Sequence, residues 1–208
     1  MTVDEWPPTP PEGYRFHDLE YNQPWYITAV LYLWLVGVFV GVPALVIGVH
    51  GPGSIGRIIR EVLQPDTARE WGTYFGWIVG TFGVLLVGHE ALHALAGRWF
   101  GLRTKVRIQY DHPLSWSPEI LTYGEFQSRG ESLAITLTPL VGLTAASIVV
   151  LVAGQHLWLI ASAAVIALGN SASAIGDLGS AAVLWHLPDG ELVYHDEDGR
   201  RQYYTPVR

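Results

Sequence analysis

Residues 74–97 read YFGWIVGTFGVLLVGHEALHALAG, and the reading of this stretch decides the fold. A helix crosses a bilayer with about 20 mostly apolar residues, and this run is long enough. Yet its last third holds His89, Glu90 and His93. A charge at the centre of a membrane helix costs about 2.5–3.5 kcal/mol on insertion scales, so polar groups kept there need a reason. Helical spacing supplies one. Positions i and i+4 share a side, so both imidazoles can reach a single ion. Glu90 lies about 100° round from His89, close to a water at that ion but out of line with the two ligands. Two nitrogen ligands beside a carboxylate base are the parts of metal-assisted hydrolysis, and zinc suits this donor set.

Three further apolar runs flank this one. They cover about 27–49, 132–153 and 157–187, with Pro43 and Pro139 inside the first two. The expected fold is therefore an all-α transmembrane bundle of four helices. Its membrane domain covers 26–187, with an acidic tail at 1–25 that lacks the features of a signal peptide and a C-terminal tail at 188–208. Trp25, Tyr26, Trp71, Tyr74, Trp99, Trp158 and Trp185 stand near the ends of the runs, as an interfacial belt does. Residues 55–63 read as a short amphipathic stretch carrying Arg57 and Arg60. Between the second and third spans, 102–131 is the longest connection. Residues 105–110 and 121–126 alternate polar and apolar, which predicts a small β-hairpin joined by a loop at 112–118. The C-terminal tail also reads as a hairpin, 191–195 and 201–207 around Asp198-Gly199.

The chain of 208 residues has no cysteine, so a transition metal must be held by His, Asp or Glu. The net charge of −7 resides largely in the two ends, which makes them poor surfaces for nucleic acid. With four spans, both termini and the 102–131 connection share one side. That side carries Arg15, Arg98, Arg103, Lys105, Arg107, Arg129, Arg200, Arg201 and Arg208, against Arg57, Arg60 and Arg69 on the other. The bias predicts both termini in the cytoplasm. The reading is an integral protein of a prokaryotic plasma membrane, in contact with lipid.

A catalytic zinc takes three protein ligands and keeps a position open. Asp177 is the only acid of the fourth span, and spans two and four run in the same direction. Asp177 is thus expected at the depth of His89 and His93, as the third ligand. Glu125 and Glu131 are the reserves for that place. Asn170 is seven residues earlier, nearly two turns, and shares the face of Asp177. It can bond a ligand, a substrate backbone or an oxyanion, or serve as a helix–helix hydrogen bond. His112, in the connection above the site, is a further candidate for the substrate side.

Gly88-His89-Glu90-Ala91-Leu92-His93-Ala94-Leu95-Ala96-Gly97, Thr138-Pro139-Leu140, and Asn170 through Gly176-Asp177 resemble the site-2 protease clan of intramembrane metalloproteases. Within that likeness the chain is most similar to small four-span membrane zincins. The clan's later motif has proline after its Asn and glycine after its Asp, where Ser171 and Leu178 stand here. The resemblance implies His89, His93 and Asp177 as zinc ligands, Glu90 as general base and Asn170 as the matching Asn. The expected activity is zinc-dependent hydrolysis of peptide bonds, in or at the membrane near the cytoplasmic face, on a membrane-protein or peptide substrate. The alternative expectation is a metal-binding scaffold or chaperone without catalysis. Glu90 speaks against it, since a mere metal site does not need that carboxylate.

Overall fold

The structure is a computed structural model that describes residues 6–19, 24–112 and 115–207. Helix α1 spans Trp25–His50, α2 Ser54–Val62, α3 Ala68–Trp99, α4 Arg129–Ala153, α5 Leu157–Ser173 and α6 Ile175–His186. Three of these, α1, α3 and α4, are long and apolar enough to cross a membrane, and α5 with α6 makes a fourth if the bent pair is one span. Their outer faces carry Leu33, Phe39, Phe75, Val79, Val87 and Leu95, all exposed. Only 6% of the most apolar window of α1 is buried. A water-soluble chain does not leave apolar faces of that extent open.

Helices α3 and α4 start with strong local signals. Thr67 and Glu70 form a reciprocal capping box at the start of α3, and Ser128 and Glu131 do the same for α4. Each satisfies N–H groups that the first turn cannot pair internally. Helix α4 packs on α3, α5 and α6 and so lies at the centre. Gly169 of α5 lets Leu85 of α3 lie against its backbone, in the space a Cβ would fill. One apolar core, Val46, Leu151, Ile160 and Ala163, sits where α1, α4 and α5 meet.

The expected fourth span is a correction. Residues 157–187 form two helices bent by 46° rather than one. Ser173 Oγ donates back to the Asn170 carbonyl at 3.0 Å, and a serine bonded to its own preceding turn bends a helix. The break at Ala174 puts Asp177 in the first turn of α6. An anion there faces the positive end of the helix dipole.

Strands β2 (Arg103–His112) and β3 (Ser115–Tyr123) pair antiparallel between α3 and α4. Strand β2 extends beyond the expected 105–110, and Pro118 lies inside β3 rather than in a loop. The expected strand 121–126 is divided: β3 ends at Tyr123, and Phe126 begins a strand of a different sheet. A proline has no N–H to give, so it fits only where the strand turns that edge away from its partner. The hairpin lies against α3. Gly97 allows this, because a Cβ at that position would overlap Thr122 Cγ2.

The tails differ most from expectation. Strands β1 (Tyr14–His17), β4 (Phe126–Ser128), β5 (Leu192–His195) and β6 (Arg201–Pro206) form one sheet in the order β1-β6-β5-β4. The C-terminal hairpin is therefore the middle of a four-stranded sheet, and the N-terminal segment supplies an edge strand. Val193 joins Leu184 and Leu187 in a second core that ties this sheet to the end of α6.

Candidate metal centre

His89 and His93 project from α3 and Asp177 from α6, and the three converge. His89 Nε2 is 3.2 Å from Asp177 Oδ2, and His93 Nε2 is 3.5 Å from Asp177 Oδ1. One ligand atom from each residue lies within 4.8 Å of the others. Asp177 Oδ2 is buried, and despite its closeness to His89 it makes no hydrogen bond of acceptable geometry.

The other imidazole nitrogens are committed. His93 Nδ1 is 3.0 Å from the Ile135 carbonyl, which only accepts, so His93 carries its proton on Nδ1. His89 Nδ1 is 3.0 Å from Asn170 Oδ1. The amide of Asn170 is oriented by its surroundings: Nδ2 faces the carbonyls of Pro139 at 3.2 Å and Leu140 at 3.4 Å, and Thr144 Oγ1 at 3.3 Å. Oδ1 must then face His89, which donates from Nδ1. Both Nε2 atoms are left aimed at the Asp177 carboxylate. Two nitrogen lone pairs facing a carboxylate repel unless a proton or a cation lies between them.

A metal fits this arrangement. Zinc binds histidine nitrogen at about 2.0–2.1 Å, so neighbouring ligands of a tetrahedral site lie about 3.3 Å apart, close to the two spacings found here. The Nδ1 bonds are the outer contacts that ligating histidines normally make.

One of those contacts has its origin in the backbone. Within a helix the Ile135 carbonyl would accept from the N–H of residue 139, but residue 139 is proline. Pro139 thus leaves that carbonyl open to His93. Replacing Pro139 with alanine supplies a competing N–H, and zinc affinity is expected to fall about tenfold, the lower end of outer-contact effects. A zinc competition titration with a chromophoric chelator reads this; unchanged affinity would mean that the free carbonyl does not matter.

Glu90 stands apart from the ligand group but lines the same cavity. Its Oε2 accepts the N–H of Ile120 of β3 at 2.7 Å. The cavity measures about 690 Å³. Its walls come from α3 (Leu85, His89, Glu90, His93), β3 (Glu119 to Thr122), α4 (Ser132, Ile135, Thr136) and the small-residue face of α6 (Gly176, Asp177, Ser180).

The sequence reading missed part of this site. Gln127 of β4 also lines the cavity, and so do His195, Gly199 and Arg201 of the tail, which the expected membrane domain leaves out. The Ile120 N–H and the Ile135 carbonyl are backbone groups without a side-chain signature, although a proline four residues on is a readable hint of the second. Asn170 is fully buried, and two of its expected uses coincide: it bonds His89 and bridges to α4. Glu131 is committed to the capping box, and Glu125 does not join the ligand group. His112 ends β2, and its side chain lies outside the described residues.

Comparison with curated proteins finds no match, and neither does comparison with solved structures. A family model does match, over residues 82–192, a stretch that runs from within α3 through the hairpin, α4, α5 and α6 to the first residue of β5. His89, Glu90, His93, Asn170 and Asp177 all fall inside it, and with more than half of its length covered the chain belongs to the family described as "Putative zincin peptidase".

Proposed function

We propose that this protein is a zinc-dependent endopeptidase of the membrane, with His89, His93 and Asp177 as metal ligands and Glu90 as general base. The observation that carries the proposal is the convergence of two Nε2 atoms and one carboxylate, with Glu90 in the same cavity. A zinc ion held there supplies Lewis acidity, which polarises a carbonyl oxygen and lowers the pKa of water towards about 7.

The rest of the chemistry belongs to the chain's own residues. The Ile120 N–H occupies one lone pair of Glu90 Oε2 and holds the carboxylate in place. Oε1 is free to take the proton of the attacking water and to pass it on to the leaving amine. Ile120 turns its N–H away from β2, so by alternation Pro118 and Thr122 present their backbone to the same open edge. Pro118 offers only a carbonyl there and Ile120 has already given its N–H. An extended substrate that adds to this edge pairs with the Ile120 carbonyl and with Thr122, beside the base.

The location is part of the proposal. With α5 and α6 counted as one broken span, the hairpin, the tail sheet and the site all lie at the end that the nine basic residues assign to the cytoplasm. Purified protein in detergent is expected to cleave an unfolded peptide, to lose that activity to a zinc chelator and to regain it on addition of zinc. Cleavage indifferent to the chelator would overturn the metal-dependent reading.

A further inference from the structure

Part of the cavity wall comes from the C-terminal tail, beyond the family's matched stretch. Three residues there face the cavity: His195, Gly199 and Arg201. We propose that Arg201 anchors the substrate by binding a carboxylate of the peptide, either an Asp or Glu side chain or a free C-terminus. The inference rests on the peptidase reading and names a class of substrate for it.

Charge points to this use. Among the described lining residues, Glu90, Glu119 and Asp177 are acidic, and Arg201 is the one arginine or lysine. Each acid has its contact: Glu119 with Arg107 at 2.8 Å, Glu90 with the Ile120 N–H, and Asp177 with the two imidazoles. Arg201 pairs with no carboxylate among the described residues. Its Nε donates to His195 Nε2 at 2.8 Å, and its Nη1 to Tyr203 Oη at 3.4 Å. A guanidinium has five donors in a planar fork, so the Nη2 side is open to a carboxylate. His195 does not act as a competing cation. Burial, and then the neighbouring Arg201, push its pKa down to about 3.

The wall is also built to stay in place. Asp196 Oδ1 accepts the N–H groups of Asp198 at 3.0 Å and Arg200 at 2.8 Å, which closes the turn between β5 and β6. Arg107 of the hairpin donates to the Asp198 carbonyl at 2.6 Å. Gly199, at a φ of 80°, lies against Arg107 and Leu121, where a side chain would crowd them. Behind His195 stands buried Gln127, held by Ser132 at 3.0 Å.

The test measures binding without cleavage. Full-length, zinc-loaded Glu90→Gln protein in detergent is titrated with fluorescent peptides that differ only in Glu against Gln, or in a free against an amidated C-terminus. Loss of the recognised carboxylate is expected to weaken binding about tenfold, the lower end for hydrogen bonds to charged groups. The arm that shows the loss identifies the source of the carboxylate. Adding Arg201→Gln should erase the difference with zinc content unchanged, and Arg201→Lys should restore part of it. Equal binding of all peptides, or a preference that survives Arg201→Gln, overturns the proposal. Because no hydrolysis is needed, absence of cleavage by the unmodified protein would sink the peptidase reading alone.

Discussion

Glu90→Gln is expected to lower kcat by a factor of about 10²–10⁴, the range for loss of a positioned general base. Zinc content should remain that of the unmodified protein. Gln has the size of Glu, and its amide oxygen can still accept the Ile120 N–H that Glu90 Oε2 accepts at 2.7 Å. It cannot take a proton from water. The substitution therefore separates fold and metal binding from chemistry. Cleavage followed with a quenched-fluorescence peptide, beside metal analysis of the same sample, reads both quantities. Unimpaired cleavage would remove Glu90 from the mechanism. A protein that holds zinc but shows no cleavage in either form would be the metal-binding scaffold of the alternative expectation.

Asp177→Ala carries the second large effect, this time on the metal. The total binding free energy of a four-ligand structural zinc site is about 10–16 kcal/mol. Shared evenly, one ligand contributes roughly 2.5–4 kcal/mol, so affinity should fall by about 10²–10³-fold. Zinc content after dialysis against a weak chelator should drop from about one per chain to a small fraction. Glu131→Gln is the companion measurement and should keep its zinc, because Glu131 is spent on the N–H and hydroxyl of Ser128 at 2.7 and 2.9 Å. Full retention of zinc in Asp177→Ala would mean that another residue completes the site.

Both expectations start from residues legible in the sequence, and the reasons differ in kind. His89, Glu90 and His93 are neighbours on one helix, so their geometry follows from helical periodicity. Asp177 is 84 residues from His93, and it could be placed only through span direction and depth. Membrane helices tilt only about 20° from the bilayer normal on average, so position along a span translates roughly into depth. The same reasoning overestimated regularity: it missed the bend at Ala174, where Ser173 bonds its own preceding turn.

The tails were legible only as local pattern. Alternation marked 191–195 and 201–207 as strands, but nothing in a six-residue strand says which neighbour it pairs with. Tyr14–His17 pairs with β6 across almost the whole chain, and Phe126–Ser128 pairs with β5. A strand's edge groups accept any partner that the packing brings near, so register and neighbours are decided by the assembled fold.

The sequence by itself determined the helix that carries His89, Glu90 and His93 and the number of apolar runs, and it singled out Asp177 as their partner, because periodicity and the cost of polar groups in a membrane act locally. The tertiary structure alone decided how those donors are held. The Ile135 carbonyl freed by Pro139, the Asn170 amide clamped by α4, the Ile120 N–H on Glu90 and Arg201 in the cavity wall are meetings of groups far apart in the chain. Hydrogen bonds of that kind exist only once the helices and strands have packed, and no spacing along the chain encodes them.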